Sequence, residues 1–316
     1  MLKFVLKIVL LSFVISLVGC SAKMMYVSTI EAEREEAYLL NKSIKLDFGE
    51  IAYLENNVKN ATTIVLIHGF GGDKDIWNRF SAALGEENHI IVIDLPGHGK
   101  SVSDNNLNYS ISHQAEMLNL FLEAKKINKI HIVGNSMGGA IALKYTGQYA
   151  DKVKSLTLVD ALGMIKTKSE YAREIEKTGI NPFFDICTEA AFEKFVHFSM
   201  QKPPHMPGMI MGFLVSEKCT RAKIEKVIFN DMIKDADLSR VAKNIKTPTL
   251  IIWGRKDRVL HVDNAQLFHS TIKGSQLVIF EELGHVPLLE DPNKTAAVTE
   301  AFIKKHSLNK HSLNKE

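Results

Sequence analysis

Read from its amino terminus, the chain changes its hydrophobic period several times. An unbroken apolar run from Ile8 to Val18 follows Lys3 and Lys7 and ends at Gly19-Cys20. The stretch from Met24 to Asn41 is polar and Glu-rich without a strand pattern, and reads as a short helix or spacer. From Ser43 to Glu55 apolar and polar residues alternate around Gly49 (Ile44, Leu46, Phe48, then Ile51, Tyr53), which predicts two short antiparallel strands. Solid apolar runs then follow: Thr63 to Ile67, Ile90 to Asp94, Ile130 to Val133, Leu156 to Val159, Leu250 to Trp253 and Leu277 to Phe280. A strand that is apolar on both faces suits a parallel sheet covered by helices. Between these runs lie helical stretches, among them Ser112 to Lys126, with Ala115, Leu118, Leu122 and Lys126 along one side, and Met137 to Tyr149, directly after a strand. The alternation predicts an α/β fold: a mostly parallel, doubly wound sheet of eight strands with helices on both faces.

One stretch breaks the alternation. From Leu162 to about Ala242 no strand pattern occurs, only the helical segments Ser169 to Lys177, Glu189 to Met200 and Arg221 to Ile233. It is too long for an ordinary loop. Its Phe and Met content suits an apolar cap over a pocket, although most of these side chains are also accounted for by a small core of the insertion itself. The expected organisation is a leader over 1–19, a spacer over 20–42, a core over 43–161 and 243–305, a helical cap over 162–242 and a disordered tail over 306–316. That tail holds a tandem repeat, His306-Ser307-Leu308-Asn309-Lys310 and then His311 to Lys315; two copies are too few for a solenoid, so it reads as a frayed, solvated terminus.

The opening run is the length of a signal-peptide core and short of a bilayer span, and basic residues precede it. Leu17-Val18-Gly19-Cys20 resembles the lipobox of bacterial lipoproteins, which implies cleavage before Cys20, acylation of that cysteine and a place in the cell envelope. By the same family rules Ser21 is no inner-membrane retention signal, so the outer membrane is expected; without the lipobox reading the protein is secreted. Acyl chains contribute about 0.8 kcal/mol per buried methylene, and stable attachment takes more than one chain. Loss of Lys3 and Lys7 takes the formal charge from +3 to +1, so the balance of charge calls for no nucleic acid or other anionic partner. If Cys20 is acylated, Cys187 and Cys219 remain as an even pair in an oxidising compartment. Two buried thiols are the expectation, with a disulfide as the alternative.

The sharpest chemical signal is Gly134-Asn135-Ser136-Met137-Gly138, followed by Gly139, between an apolar strand and a helix. A strand-to-helix turn tight enough to lift a serine hydroxyl clear of the sheet needs small residues two positions to either side. Serine alone is a poor nucleophile, so a base must take its proton and a carboxylate must hold that base in the right tautomer. His285, in Gly284-His285 beyond the last strand, stands on the carboxyl side of the sheet. His89 and His131 begin strands, His113 lies near a helix start, and His197 and His269 lie in helices, which leaves them with bland readings. Asp257, which follows the strand Leu250 to Trp253 by a short turn, is the expected acid; Asp160, at the end of the preceding strand, is its competitor for the same histidine. In His68-Gly69-Phe70-Gly71-Gly72 the glycines allow a sharp turn that lets the Phe70 amide join the Met137 amide at an oxyanion, while His68 reads as a hydrogen-bonding brace for the loop.

These segments, with Asp94-Leu95-Pro96-Gly97-His98-Gly99-Lys100-Ser101, Trp253-Gly254-Arg255-Lys256-Asp257 and Gly284-His285-Val286-Pro287, resemble the α/β-hydrolases of the esterase, lipase and meta-cleavage-product hydrolase group. The resemblance spans about residues 43 to 305 and is strongest to the bacterial family V lipases, with their Asn-Ser-Met-Gly-Gly elbow, helical cap and export segment. It implies the α/β-hydrolase fold and hydrolysis of hydrophobic acyl esters, with no metal or organic cofactor. Residues and spacing alone point to a serine-nucleophile hydrolase. A serine at the elbow disfavours dehalogenase and epoxide hydrolase chemistry, which uses aspartate there. Two rivals stay open: a carbon–carbon bond hydrolase using the same triad, and a catalytically silent, membrane-tethered binding module.

Overall fold

The structure is a computed structural model that describes residues 21–307 apart from residue 60. The expected leader with its acylation site at Cys20, and residues 308–316 of the expected tail, lie outside the described residues.

An eight-stranded sheet forms the frame, in the order β1-β2-β4-β3-β5-β6-β7-β8. Strands β1 (Leu40–Leu46) and β2 (Gly49–Glu55) form an antiparallel hairpin at one edge, in register from Leu40 opposite Glu55 to Leu46 opposite Gly49. Strand β2 runs antiparallel to β4 (His89–Ile93). The remaining neighbours are parallel: β3 (Thr63–Ile67), β5 (Ile130–Asn135), β6 (Val153–Val159), β7 (Thr249–Gly254) and β8 (Gln276–Phe280). From β3 the chain crosses to β4 on one side and then returns to β5 on the other. The loops after β3 and β5 therefore leave the carboxyl edge in opposite directions and open a crevice there, the place where such sheets hold ligands.

The solid apolar runs become strands because both faces are covered. Ile64, Leu66, Ile90 and Val92 pack on one side with Trp77, Phe80 and Phe302, while Val65, Ile67, Ile91 and Ile93 pack on the other with Leu118, Phe121 and Ile141. At roughly 1.5–3 kcal/mol for each large side chain taken out of water, this two-sided burial is the main force holding the sheet. Helices α2 (Asn78–Leu84) and α11 (Pro292–Ser307) cover the first side; α3 (Ile111–Ala124) and α4 (Met137–Gln148) cover the second. Helix α3 starts one residue before its expected first residue because Ser110 caps it, its hydroxyl accepting from the His113 N–H. The Asp235 carboxylate also accepts from the Ile111 and Ser112 amides at 2.8 Å, a negative charge where the helix dipole favours one.

Between β6 and β7 the chain forms α5 (Glu170–Thr178), α6 (Glu189–Ser199), α7 (Gly208–Met232) and the short α8 (Ser239–Ala242), followed after β7 by α9 (Asp263–Thr271) and after β8 by α10 (Pro287–Glu290). The sequence pattern marks only the second half of α7. Its first half runs Met209-Ile210-Met211-Gly212-Phe213-Leu214-Val215, too uniformly apolar to show a helical period. Cys187 and Cys219 are joined by a disulfide, which corrects the expectation of two thiols: α7 folds back beside the segment before α6 and brings the Cα atoms to 5.4 Å, within bonding reach.

Ahead of β1, helix α1 covers residues 21–36. Its Tyr26 ring packs on Phe213 of α7 at 5.4 Å, the Ser21 hydroxyl reaches the Met209 sulfur at 3.7 Å, and Arg34 grips the Asp75 carboxylate with two bonds of 2.7 Å. At the other end, α11 continues through His306 and Ser307, two residues into the stretch expected to be frayed. The His306 ring rests on Phe302, and the Ser307 hydroxyl bonds the His131 ring at 3.1 Å. Among the described residues no helix is long and apolar enough to cross a membrane.

Candidate active site

Strand β5 is buried along its whole length and ends on Asn135. Ser136 follows with φ 55° and ψ −119°, and α4 begins at Met137. Such a conformation costs a non-glycine residue about 1–3 kcal/mol, so neighbouring bonds must hold it. Here the Ser136 N–H donates to Val159 O at 3.0 Å, and Ser136 O accepts from the Leu162 and Gly139 amides, both at 3.0 Å. The flanking glycines answer to close backbone approach: a Cβ on Gly134 would lie 2.2 Å from Gly138 O, and one on Gly138 would lie 2.4 Å from both Ile67 O and His68 O. The serine side chain, by contrast, is only half-buried.

His285 and Asp257 stand in the loops after β8 and β7, and both are buried. The Asp257 Oδ1 accepts from the Val259 and Leu260 amides at 2.8 and 2.9 Å, which aims Oδ2 at His285 Nδ1, 2.8 Å away. With its proton on Nδ1, the imidazole has Nε2 free to act as a base. Asn135 ties this loop to the elbow: its Nδ2 donates to His285 O at 3.2 Å and to Val159 O at 3.1 Å. Glu290 braces the loop from below, accepting from the Gly284, Val286, Gln201 and Lys202 amides at 2.8–3.1 Å. Neither Asn135 nor Glu290 stood out in the sequence as a site residue, because their partners are distant along the chain.

Asp160, the competing acid, does not reach the imidazole in a hydrogen bond. Its Oδ1 accepts from the Gly254 N–H at 2.9 Å, and burial together with the Asp257 carboxylate pushes its own carboxyl well above the usual carboxylate range. Asp160, Asp257 and His285 present ligand atoms within 4.8 Å of one another, a spacing that could hold a cation. The Asp257 oxygens and His285 Nδ1 are already committed to one another and to amides.

The loop after β3 comes up against the serine, with the Cβ direction of Gly69 pointing 3.1 Å from Ser136 Cβ. His68 fixes the turn as the sequence suggests. Its Nδ1–H donates to Gly69 O at 2.8 Å and its Nε2 accepts from the Leu95 N–H at 3.1 Å, a pairing that requires the neutral ring and matches the downward shift that burial imposes on its pKa. The Phe70 and Met137 amides donate to no other group among the described residues. Two cations from α7 hold the neighbouring loops: the Lys218 ammonium donates to Gly71 O at 2.8 Å and to Glu225 Oε1 at 2.7 Å, and Arg221 donates to Gly97 O. The Phe70 ring meets Phe183 and Phe229 edge-on at 5.3 and 5.6 Å, so an aromatic wall from the insertion stands over this loop.

Residues 62–292 match the family model described as alpha/beta hydrolase fold. The chain is 33% identical to Lipase 1 of Psychrobacter immobilis over 300 residues, covering 92% of this chain and 94% of that protein. Among solved structures it is similar to a membrane phospholipase A described as a bacterial virulence factor, with 34% identity, a TM-score of 0.89 and coverage of 98% and 100% of the two chains. It is also similar to a putative lipase from Acinetobacter baumannii AYE, with 30% identity, a TM-score of 0.84 and coverage of 90% and 97%.

Proposed function

The chain belongs to the alpha/beta-hydrolase family, and on that premise we propose that it cleaves esters of hydrophobic acyl groups with Ser136 as nucleophile, His285 as base and Asp257 as the acid that orients it. Its lipase relatives make it a serine hydrolase of carboxylic esters. The observation that carries the residue assignment is the 2.8 Å bond from His285 Nδ1 to Asp257, in a loop that Asn135 ties to the strained turn at Ser136.

In this mechanism Ser136 Oγ attacks the ester carbonyl carbon while His285 Nε2 takes its proton. The carbonyl oxygen becomes an oxyanion facing the Phe70 and Met137 amides, each such donor worth roughly 10²–10³ in rate. Collapse breaks the bond to the alcohol, which leaves with the proton from His285. Water, deprotonated by the same imidazole, then attacks the acyl-enzyme and releases the acid. Asp257 stabilises the imidazolium in both halves. The aromatic wall of Phe70, Phe183 and Phe229 favours an apolar acyl chain, and similarity to proteins described as lipases and as a membrane phospholipase A supports lipid esters as the substrate class.

A fluorophosphonate probe is expected to label Ser136, read by mass spectrometry of the labelled peptide. A series of p-nitrophenyl esters from acetate to palmitate, with an emulsified triglyceride, is expected to favour medium or long chains. No labelling would remove the mechanism; activity confined to acetate would remove the lipid substrate and leave an esterase.

The location belongs to the same reading: Cys20 is the acylated terminus of a lipoprotein held in the bacterial envelope, at the outer membrane rather than the inner. Support comes from Leu17-Val18-Gly19-Cys20 and from the docking of the described residues of α1 against Met209 and Phe213 of α7. Met24, Met25 and Val27 on α1 and Met209 on α7 are exposed on this part of the molecule. Cys20→Ala is expected to move the protein from the membrane fraction to the soluble one; unchanged partitioning would count against the anchor.

A further inference from the structure

Asp160 is a buried group beside the triad for which the mechanism has no task. It follows β6 with φ 43°, and its carboxyl group is wholly shielded from solvent. One oxygen accepts from the Gly254 N–H; the other, Oδ2, meets no donor among the described residues, and an oxygen of the group lies within 4.8 Å of one on Asp257. Two carboxyl groups this close in a low-dielectric interior do not both ionise. The hydrogen bonds say which one keeps the charge. Asp257 accepts three N–H groups, from Val259, Leu260 and His285, whereas Asp160 accepts one. Each N–H directed at a carboxylate favours its anion.

The geometry points to Asp160 as a positioning residue of the site: a neutral carboxylic acid whose Oδ2–H donates to the Asp257 carboxylate and moderates its pull on the His285 imidazolium. This rests on the Ser136-His285-Asp257 mechanism above. The titratable groups that face Asp160 are Asp257 after β7, His285 after β8 and Glu290 in α10. Burial and the Asp257 charge both raise the Asp160 carboxyl, in keeping with a retained proton. A donor on Asp257 draws charge from it, so removing the donor leaves a more basic carboxylate that holds the imidazolium more tightly. Base catalysis needs the neutral imidazole, so the acid limb of the pH profile then moves to higher pH.

Asparagine is the matched replacement. Its oxygen keeps the Gly254 bond, its NH₂ keeps the bond to Asp257, and among non-glycine residues it is one of those that best tolerate a positive φ. Glycine removes the carboxyl group without adding backbone strain. The test is kcat/KM for p-nitrophenyl butyrate against pH on the full chain, normalised to the fraction labelled by a fluorophosphonate. Asp160→Asn is expected to keep the acid limb within about 0.3 unit of wild type, whereas Asp160→Gly raises it by about one unit and lowers kcat/KM about tenfold. An ionised Asp160 would give the opposite sign, since Asp160→Asn would then remove a negative charge and lower the limb. That result, or an unmoved limb in Asp160→Gly, overturns the proposal. If Asp160→Gly does not fold, the sign in Asp160→Asn decides alone.

Stability supplies a second readout. A carboxyl raised above its unfolded value stabilises the fold fully below the unfolded pKa, near 4, and loses that contribution as pH rises through the folded value. The wild type should therefore lose thermal stability relative to Asp160→Asn as pH rises, and a constant difference counts against a protonated Asp160. Asp257→Asn separates the two readings: wild-type activity there removes the triad itself, while an inactive Asp257→Asn beside a shifted Asp160→Asn profile removes only the role of Asp160.

Discussion

The Ser136→Ala protein is expected to fold and to lose ester hydrolysis almost completely, with kcat for p-nitrophenyl butyrate down by on the order of 10⁶. The backbone at this position is strained in either protein, since serine and alanine share the Cβ that meets it at φ 55°. The hydroxyl makes no hydrogen bond among the described residues, so its removal orphans no buried partner. Thermal stability should stay within about 0.5 kcal/mol of wild type. A small residual rate over water is expected, because the Phe70 and Met137 amides and the pocket are untouched. Retention of even a hundredth of the activity in a preparation free of host esterases would mean another group attacks the ester.

Asp257→Asn should cost about 10⁴ in kcat. The reason lies in the hydrogen bonds around the carboxylate. Oδ1 takes two amides, from Val259 and Leu260, and Oδ2 takes His285 Nδ1. Asparagine has one oxygen to offer. Turned toward the two amides, it presents its NH₂ to Nδ1, and the imidazole must shift its proton to Nε2, where it can no longer accept from serine. Fluorophosphonate labelling of Ser136 should slow in parallel with kcat. A loss below tenfold would show that another carboxylate orients His285.

How much of this was legible in the sequence depended on the range of the interactions involved. Strand β3 lies where its apolar run says, Thr63–Ile67, because burial on both faces is a local property of the residues. Strand β1 begins at Leu40, before its alternation is visible, because pairing with Glu55 of β2 decides its end. Half of α7 was hidden by its uniform apolarity, and the Cys187–Cys219 bond was unreadable because a separation of 32 residues says nothing about Cα distance. At the site, Gly134-Asn135-Ser136-Met137-Gly138 could be read as a turn, since the glycines that answer its close contacts are part of the motif. Between Asp160 and Asp257 the sequence favoured Asp257 by placement alone, as both follow strands at the same edge of the sheet. The amides of Val259 and Leu260, which turn the Asp257 carboxylate toward the histidine, were out of its reach. The bracing by Glu290 and Lys218 was equally out of reach, being made of contacts with chain far away in sequence.

Helix α7 is a rod of 25 residues, about 37 Å long at 1.5 Å per residue. Lys218, Cys219 and Arg221, its bonds to the β3 loop, to the disulfide partner and to the β4 loop, fall near its midpoint. Its carboxyl-terminal end is held as well, with Ile228 and Met232 in the core and the Asp231 carboxylate accepting from the Tyr109 N–H at 3.0 Å, so the amino-terminal half is the free arm of a lever. A tilt of about 10° would swing an end roughly 15 Å away by about 2–3 Å while the central contacts scarcely shift. The amino-terminal end can thus yield to a bulky guest while the carboxyl-terminal end, with Phe229 against Phe70, and the loop carrying Phe70 stay in place.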